Sequence, residues 1–116
     1  MHELGVVFKV IDICENVANE NSISSISGVT LEIGEVSGIV NSYLEDAFKW
    51  AIKKSSIMKN AALTIETIPG ITLCTNCNNT YPTVTYAKIC PHCGSDKTYL
   101  TSGNEFAVKE ITVDEA

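Results

Sequence analysis

From Met1 to about Ala18, apolar residues recur at three- and four-residue steps. Leu4, Val7, Phe8, Ile11 and Cys14 form one stripe, and Val6, Val10, Ile13 and Val17 form an adjoining one. That pattern predicts an amphipathic helix with a wide apolar face buried against a sheet, leaving Lys9, Asp12 and Glu15 outside. The polar segment Asn19 to Ser27 ends it. Val29, Leu31 and Ile33 then alternate with Thr30, Glu32 and Gly34, which is strand periodicity, and the strand runs into the glycine-bracketed loop Gly34-Glu35-Val36-Ser37-Gly38. Ser42 stands three residues before Glu45, as in a capping box, so a second helix is expected from about Tyr43 to Ser55. Leu44, Ala47, Phe48, Ala51 and Ile52 line one of its faces, with Lys53, Lys54 and a partly buried Trp50 on the flank. Leu63 and Ile65 alternate with Thr64 and Glu66 in a second strand stopped by Pro69-Gly70. From Gly103 to Val113 the chain returns to strand composition with Phe106, Val108, Ile111 and Val113. The change of parity between Val108 and Ile111 signals a bulge or a strand end.

The element order predicts an α/β (α+β) fold: a small three-stranded sheet with two helices, plus an inserted four-cysteine, zinc-ribbon-like domain. Residues 1–70 and 103–116 are assigned to the α/β domain and residues 71–102 to the insert. Tyr81, Val84 and Tyr86 are expected to pack around the metal knot.

The insert carries Cys74-Thr-Asn-Cys77 and Cys90-Pro-His-Cys93, two CxxC pairs with twelve residues between them. Each pair can form a tight knuckle whose two sulfurs point at one spot, and a turn between the pairs can bring four thiolates into a tetrahedron. Zinc suits that donor set, because it accepts soft sulfur ligands and four-fold tetrahedral geometry. Gly94 lets the backbone turn after the second pair so that amides face the sulfurs. Four protein ligands leave no open position, which makes the metal structural. Two disulfides are the competing reading, disfavoured because nothing else in the chain looks secreted. Cys14, the fifth cysteine, lies within the apolar helical pattern and is read as a small core residue.

At 116 residues the chain is long enough for one compact domain carrying a smaller metal-pinned one. No apolar run is long enough to span a bilayer, and the N-terminus lacks signal-peptide character, so a cytoplasmic protein is expected. The net charge is −6, and all eight basic residues are lysines. Bidentate recognition of phosphate or guanine leans on arginine, and an acidic surface repels a polyphosphate backbone, so nucleic acid is not an expected partner.

Both histidines occupy pointed positions. His92 lies inside the second CxxC pair, either as solvent-exposed filler, or close to a second metal or in a tuning role near the sulfurs. His2 follows Met1, whose α-amine, together with the His2 backbone nitrogen and imidazole, can form fused chelate rings around one metal ion. Such nitrogen-rich coordination suits nickel(II) or copper(II). Glu3 can add a carboxylate or hold the imidazole through a hydrogen bond. A frayed, solvated terminus is the competing reading.

Met1-His2-Glu3-Leu4, Ile33-Gly34-Glu35-Val36-Ser37-Gly38, the two CxxC pairs and Gly103-Asn104-Glu105 together resemble the HypA/HybF family of nickel metallochaperones for nickel–iron hydrogenase maturation. The resemblance covers essentially the whole chain, in order and spacing. It implies a nickel-binding α/β domain containing the N-terminal helix, with a zinc domain inserted in it. Nickel is then carried by His2 and Glu3, to which the chelate reading above adds the Met1 α-amine, and zinc by Cys74, Cys77, Cys90 and Cys93. It also implies a maturation GTPase of the HypB type as partner and the nickel–iron hydrogenase large subunit precursor as recipient, with no catalysis by this chain, acting as monomer or homodimer. The sequence has no phosphate-binding loop of its own. A zinc-ribbon protein-interaction adaptor without nickel function is the alternative, and a rubredoxin-like iron carrier is a further rival.

Overall fold

The computed structural model describes residues 3–113. Helix α1 spans Glu3–Glu20, strand β1 Ile26–Gly34, helix α2 Asn41–Ala51 and strand β2 Ala62–Ile68. Strands β3 (Ile71–Cys74) and β4 (Thr80–Pro82), the one-turn helix α3 (Thr83–Tyr86) and strand β5 (Thr98–Ser102) follow, and β6 (Phe106–Val113) completes the described chain. This is a mixed α+β fold with two three-stranded sheets, ordered β2-β1-β6 and β4-β3-β5. The chain divides into two compact units. One comprises Met1–Leu31, Ile39–Glu66 and Ala107–Ala116, and the other Glu32–Gly38 and Thr67–Phe106.

In the first unit, α1 buries Val7, Val10, Ile11, Cys14 and Ala18. This stripe runs between the two apolar rows visible in the sequence, so one row's Phe8 and the other's Ile13 fall at its edges and stay exposed. Phe8 instead meets Trp50 edge to face, with ring centroids 6.5 Å apart, and the Lys54 ammonium lies 4.4 Å from the Trp50 ring. Trp50 is 49% exposed, because its ring rests on a neighbouring ring at the surface rather than in the core. Helix α1 reaches Glu20 and closes with Ser22 in the left-handed region (φ 57°), while the Ile23 N–H donates to the Ala18 carbonyl. Strand β1 therefore starts earlier than the alternation suggests, at Ile26, whose side chain is fully buried.

Helix α2 departs from the expected capping box. It begins at Asn41 with Val40 as N-cap and no side-chain cap from its own residues, so Ser42 and Glu45 lie inside the helix. The acceptor comes from α1: Glu3 Oε2 takes the Val40 N–H at 3.1 Å. At the other end, α2 tightens into a 3-10 turn at Ile52–Lys54. Ser55 then donates its hydroxyl to Glu15 Oε2 at 2.7 Å and accepts the Met58 N–H, so the buried hydroxyl is satisfied. Strand β6 runs unbroken through the expected parity change, with the alternation of burial shifting at Lys109-Glu110.

In the second unit three segments meet at glycines. A Cβ on Gly34 would collide with the Gly103 carbonyl, and one on Gly103 would collide with Gly70, lying 2.9 Å from the Gly70 nitrogen. Only hydrogen fits at each, which gives the glycines of the two sequence motifs a physical reason. The cluster is laced by hydrogen bonds. The Gly34 N–H donates to the Glu105 carbonyl and the Val36 N–H to the Gly103 carbonyl. The Glu35 carboxylate accepts the Gly70 N–H at 2.8 Å, and the Glu105 carboxylate accepts the Gly103 N–H at 2.7 Å.

Gly38 and Gly103 both hold positive φ, 86° and 110°, but nothing lies within 4 Å of a Cβ at Gly38. Gly38→Ala should therefore cost only the left-handed strain of about 1–2 kcal/mol. Gly103→Ala adds a clash with backbone that has nowhere to move, and should cost about 3 kcal/mol or more. Urea unfolding of the two variants checks this, and equal losses would rule out the close approach as the reason for Gly103.

Candidate metal centre

Strand β3 delivers Cys74 from the centre of the second sheet. It pairs antiparallel with β4 through Thr72–Tyr81 and Leu73–Thr80, and with β5 through Leu73–Tyr99 and Cys74–Thr98. Tyr81 is buried beside Cys74 and Cys90 and donates its hydroxyl to the Ala87 carbonyl at 2.8 Å. Val84 and Tyr86, expected to pack around the knot, are instead exposed. They lie on the one-turn helix α3, and Tyr86 meets the site only through an edge-on contact with Tyr81 at 5.9 Å.

The two CxxC segments fold the same way. Cys74 donates its N–H to the Asn79 carbonyl and accepts at its own carbonyl from Asn78. Cys90 donates to the Ser95 carbonyl and accepts from Gly94. Asn78 (φ 61°) and Gly94 (φ 76°) are the equivalent left-handed positions four residues after each first cysteine. Asparagine tolerates that conformation better than most residues, and the spacing from Cys74 is the sequence signal for it.

The knuckles place the sulfurs of Cys74, Cys77, Cys90 and Cys93 within 4.8 Å of one another, a cluster that could hold a metal ion. The closest pairs, Cys74–Cys93 and Cys77–Cys90, are 3.6 Å apart, and all four cysteines are free thiols, so the two-disulfide reading does not hold. The amides of Asn76 and Asn79 point at Cys93 and Cys77 at 3.5 and 3.4 Å, and the His92 backbone N–H points at Cys90 at 3.3 Å. His92 itself is exposed and does not belong to the cluster.

These donors and the burial of Cys74 act unevenly on the sulfurs. The Asn76 amide, with the Ser95 backbone N–H, lowers the Cys93 thiol to about 6. The Asn79 backbone N–H leads in lowering Cys77, whereas burial pushes Cys74 up to about 11. Cys93 is exposed and Cys74 wholly buried. Away from the cluster, Cys14 is buried in α1 and raised to about 11 by burial and then by Glu15, as suits an inert core thiol.

Of the proposed nickel donors, Met1 and His2 lie outside the described residues. Glu3 occupies the first turn of α1, 5% exposed, with its carboxylate on the Val40 N–H. Among the described residues the four-cysteine cluster is the one group of three or more histidine, cysteine or acidic side chains placed to share an ion. No helix of the described residues is long and apolar enough to cross a membrane.

The difference in exposure predicts the order in which an electrophile dismantles the metal-loaded centre. Limited iodoacetamide at neutral pH should modify Cys93 first and Cys74 last, read by peptide mass mapping. Modification of Cys74 ahead of Cys93 would contradict the geometry.

Comparison with known proteins agrees with this arrangement. The family described as hydrogenase/urease nickel incorporation, metallochaperone, HypA matches residues 1–113. The hydrogenase maturation factor HypA of Geobacter metallireducens is 37% identical over 114 residues, spanning 98% of this chain and 100% of that protein. The HypA of Dechloromonas aromatica is 35% identical over the same shares. The solution structure of the nickel metallochaperone HypA from Helicobacter pylori superposes with a TM-score of 0.71 at 30% identity, covering 97% of both chains. The chain thus belongs to the HypA family, a family of metallochaperones for nickel incorporation and not of enzymes.

Proposed function

We propose that this protein binds nickel(II) at its N-terminus, through the Met1 α-amine, His2 and Glu3, and delivers it for maturation of nickel–iron hydrogenase. The family match along residues 1–113 carries this reading. The four cysteines hold a structural zinc ion, in a module formed by residues 71–102 within an α/β domain of residues 1–70 and 103–116. Zinc–sulfur bonds of about 2.3 Å place tetrahedral sulfurs about 3.8 Å apart, close to the 3.6 Å of the two nearest pairs. The protein works in the cytoplasm with a maturation GTPase of the HypB type, and the hydrogenase large subunit precursor receives the metal. A terminal site with few fixed donors suits transfer, because incoming ligands can displace its donors one at a time.

One zinc per chain should accompany the purified protein. Cys74→Ala or Cys93→Ala should lose it and melt the cysteine unit, which is too short to hold its core unaided. Metal analysis and amide dispersion check this, and full zinc content in either variant would sink the four-cysteine assignment.

Nickel binding should weaken as pH falls through about 6.5, because the imidazole must be neutral to donate. The amine and backbone nitrogen also lose protons, so the fall should be steeper than one proton allows. His2→Ala should abolish most nickel binding with zinc unchanged, and an uncleaved N-terminal extension should do the same by turning the amine into an amide. Calorimetric titration decides: parental nickel affinity in His2→Ala would refute the terminal site.

A further inference from the structure

Thr72 and Thr83 bring their hydroxyls within 2.7 Å of each other, and Thr72 is only 4% exposed. Two hydroxyls carry two protons, and the bond between them uses one. Among the described residues neither hydroxyl has a further partner, so the second proton lacks a protein acceptor. Both threonines line a cleft of about 600 Å³ within the second unit. Thr72 pairs with Leu100, and Thr98 lies two residues before it on β5, so one sheet face supplies these three lining residues. Thr83, Ala87 and Lys88 are supplied by α3 and the segment after it. That segment is pinned. Ala87 holds φ at 53°, its N–H on the Thr83 carbonyl and its own carbonyl on the Tyr81 hydroxyl, while Thr98 donates its hydroxyl to the Lys88 carbonyl. An alanine in the left-handed region persists only where its surroundings hold it there.

Two opposite charges complete the lining, Lys88 and Asp96, and among the described residues neither is in an ion pair. A simple anion would meet Asp96 and a simple cation would meet Lys88, so neither suits the cleft. A ligand carrying both a carboxylate and an ammonium suits both. Besides the charges, the hydroxyl pair has one proton to give to a carbonyl oxygen, and Val36, Tyr99 and Leu100 provide apolar surface. A cleft of that volume is roughly 8 Å across, which about two or three extended residues span at about 3.5 Å each. We propose that it binds a short peptide with free termini. The carboxylate lies toward Lys88, the ammonium toward Asp96, and a backbone carbonyl accepts the spare hydroxyl proton. This site stands independently of the nickel reading.

Titration of trialanine into the zinc-loaded protein, followed by amide NMR shifts, tests the site. Thr72, Thr83, Lys88 and Asp96 should shift together and saturate, with α1 and α2 unmoved. Acetylating and amidating the peptide removes both charges and should weaken binding by about tenfold. Lys88→Gln and Asp96→Asn, both at exposed positions, should each weaken trialanine by about two- to fivefold with zinc content unchanged. The two variants also assign the ends: amidation should no longer matter in Lys88→Gln, nor acetylation in Asp96→Asn. Thr83→Val should weaken binding by about fivefold, and Thr83→Ser, which keeps the hydroxyl, should restore it. Should Thr83→Val fold poorly, the two charge variants carry the test alone. No saturable shift at the lining residues would overturn the site. Equal binding of the capped and free peptides, or an end-capping effect untouched by both charge variants, would overturn the role of the termini.

Discussion

Three backbones meet at Gly34, Gly70 and Gly103, with no room for a side chain on Gly34 or Gly103. Gly70 immediately precedes β3 and Gly103 immediately follows β5, so the contact closes residues 71–102 into a loop at its base. Closing a loop of that length costs chain entropy whatever the loop contains. The cluster offsets it with directional bonds: the Glu35 and Glu105 carboxylates each accept a glycine N–H, and two backbone bonds fasten Gly34 and Val36 to the Gly103–Glu105 segment. Charge-assisted bonds of this kind are stronger than neutral ones, and here both acceptors come from acidic residues adjoining the glycines or one residue removed. With the base fixed, β3 pairs with β5, the register shifting once between Ile71 and Thr72, and the pairing beyond that shift, from Thr72–Leu100 to Cys74–Thr98, sets where Cys74 points.

At the far end of the same sheet the chemistry is electrostatic. Four thiolates within 4.8 Å repel one another strongly in the absence of a cation. The Asn76 and Asn79 amides and the backbone N–H groups of the two knuckles offset part of this, and their effect is uneven. Cys93 is held down and Cys74 pushed up, so the charge gathers at the exposed rim while the buried sulfur resists ionisation. A metal ion completes the balance by favouring the thiolate even at Cys74, which is why folding of so small a unit and occupancy of its centre belong together.

Periodicity carries much of this architecture. The alternation of Val29, Leu31 and Ile33 is seen as three buried residues on one face of β1, and the paired CxxC spacing as four converging sulfurs. Local pattern fails where the partner is distant. Ser42 and Glu45 have capping-box spacing, yet the acceptor for α2 is Glu3, and no window of a few residues contains that pair. Val84 and Tyr86 have apolar side chains and sit between the two CxxC pairs, but a one-turn helix cannot bury every side, and they face out. Asn78 is less legible than its counterpart Gly94, because glycine is the residue normally associated with a left-handed turn. The glycine motifs are recognisable as motifs, but their reason is a three-way approach between segments far apart in sequence.

The cysteine cluster is arranged for retention of an ion rather than for its exchange. The cysteine centre draws its donors from two rigid knuckles on a sheet whose loop is closed at its base, so releasing the ion means undoing several hydrogen bonds together. The Glu3 carboxylate is likewise held by the fold, at the start of α2, where it accepts the Val40 N–H across 37 residues of sequence.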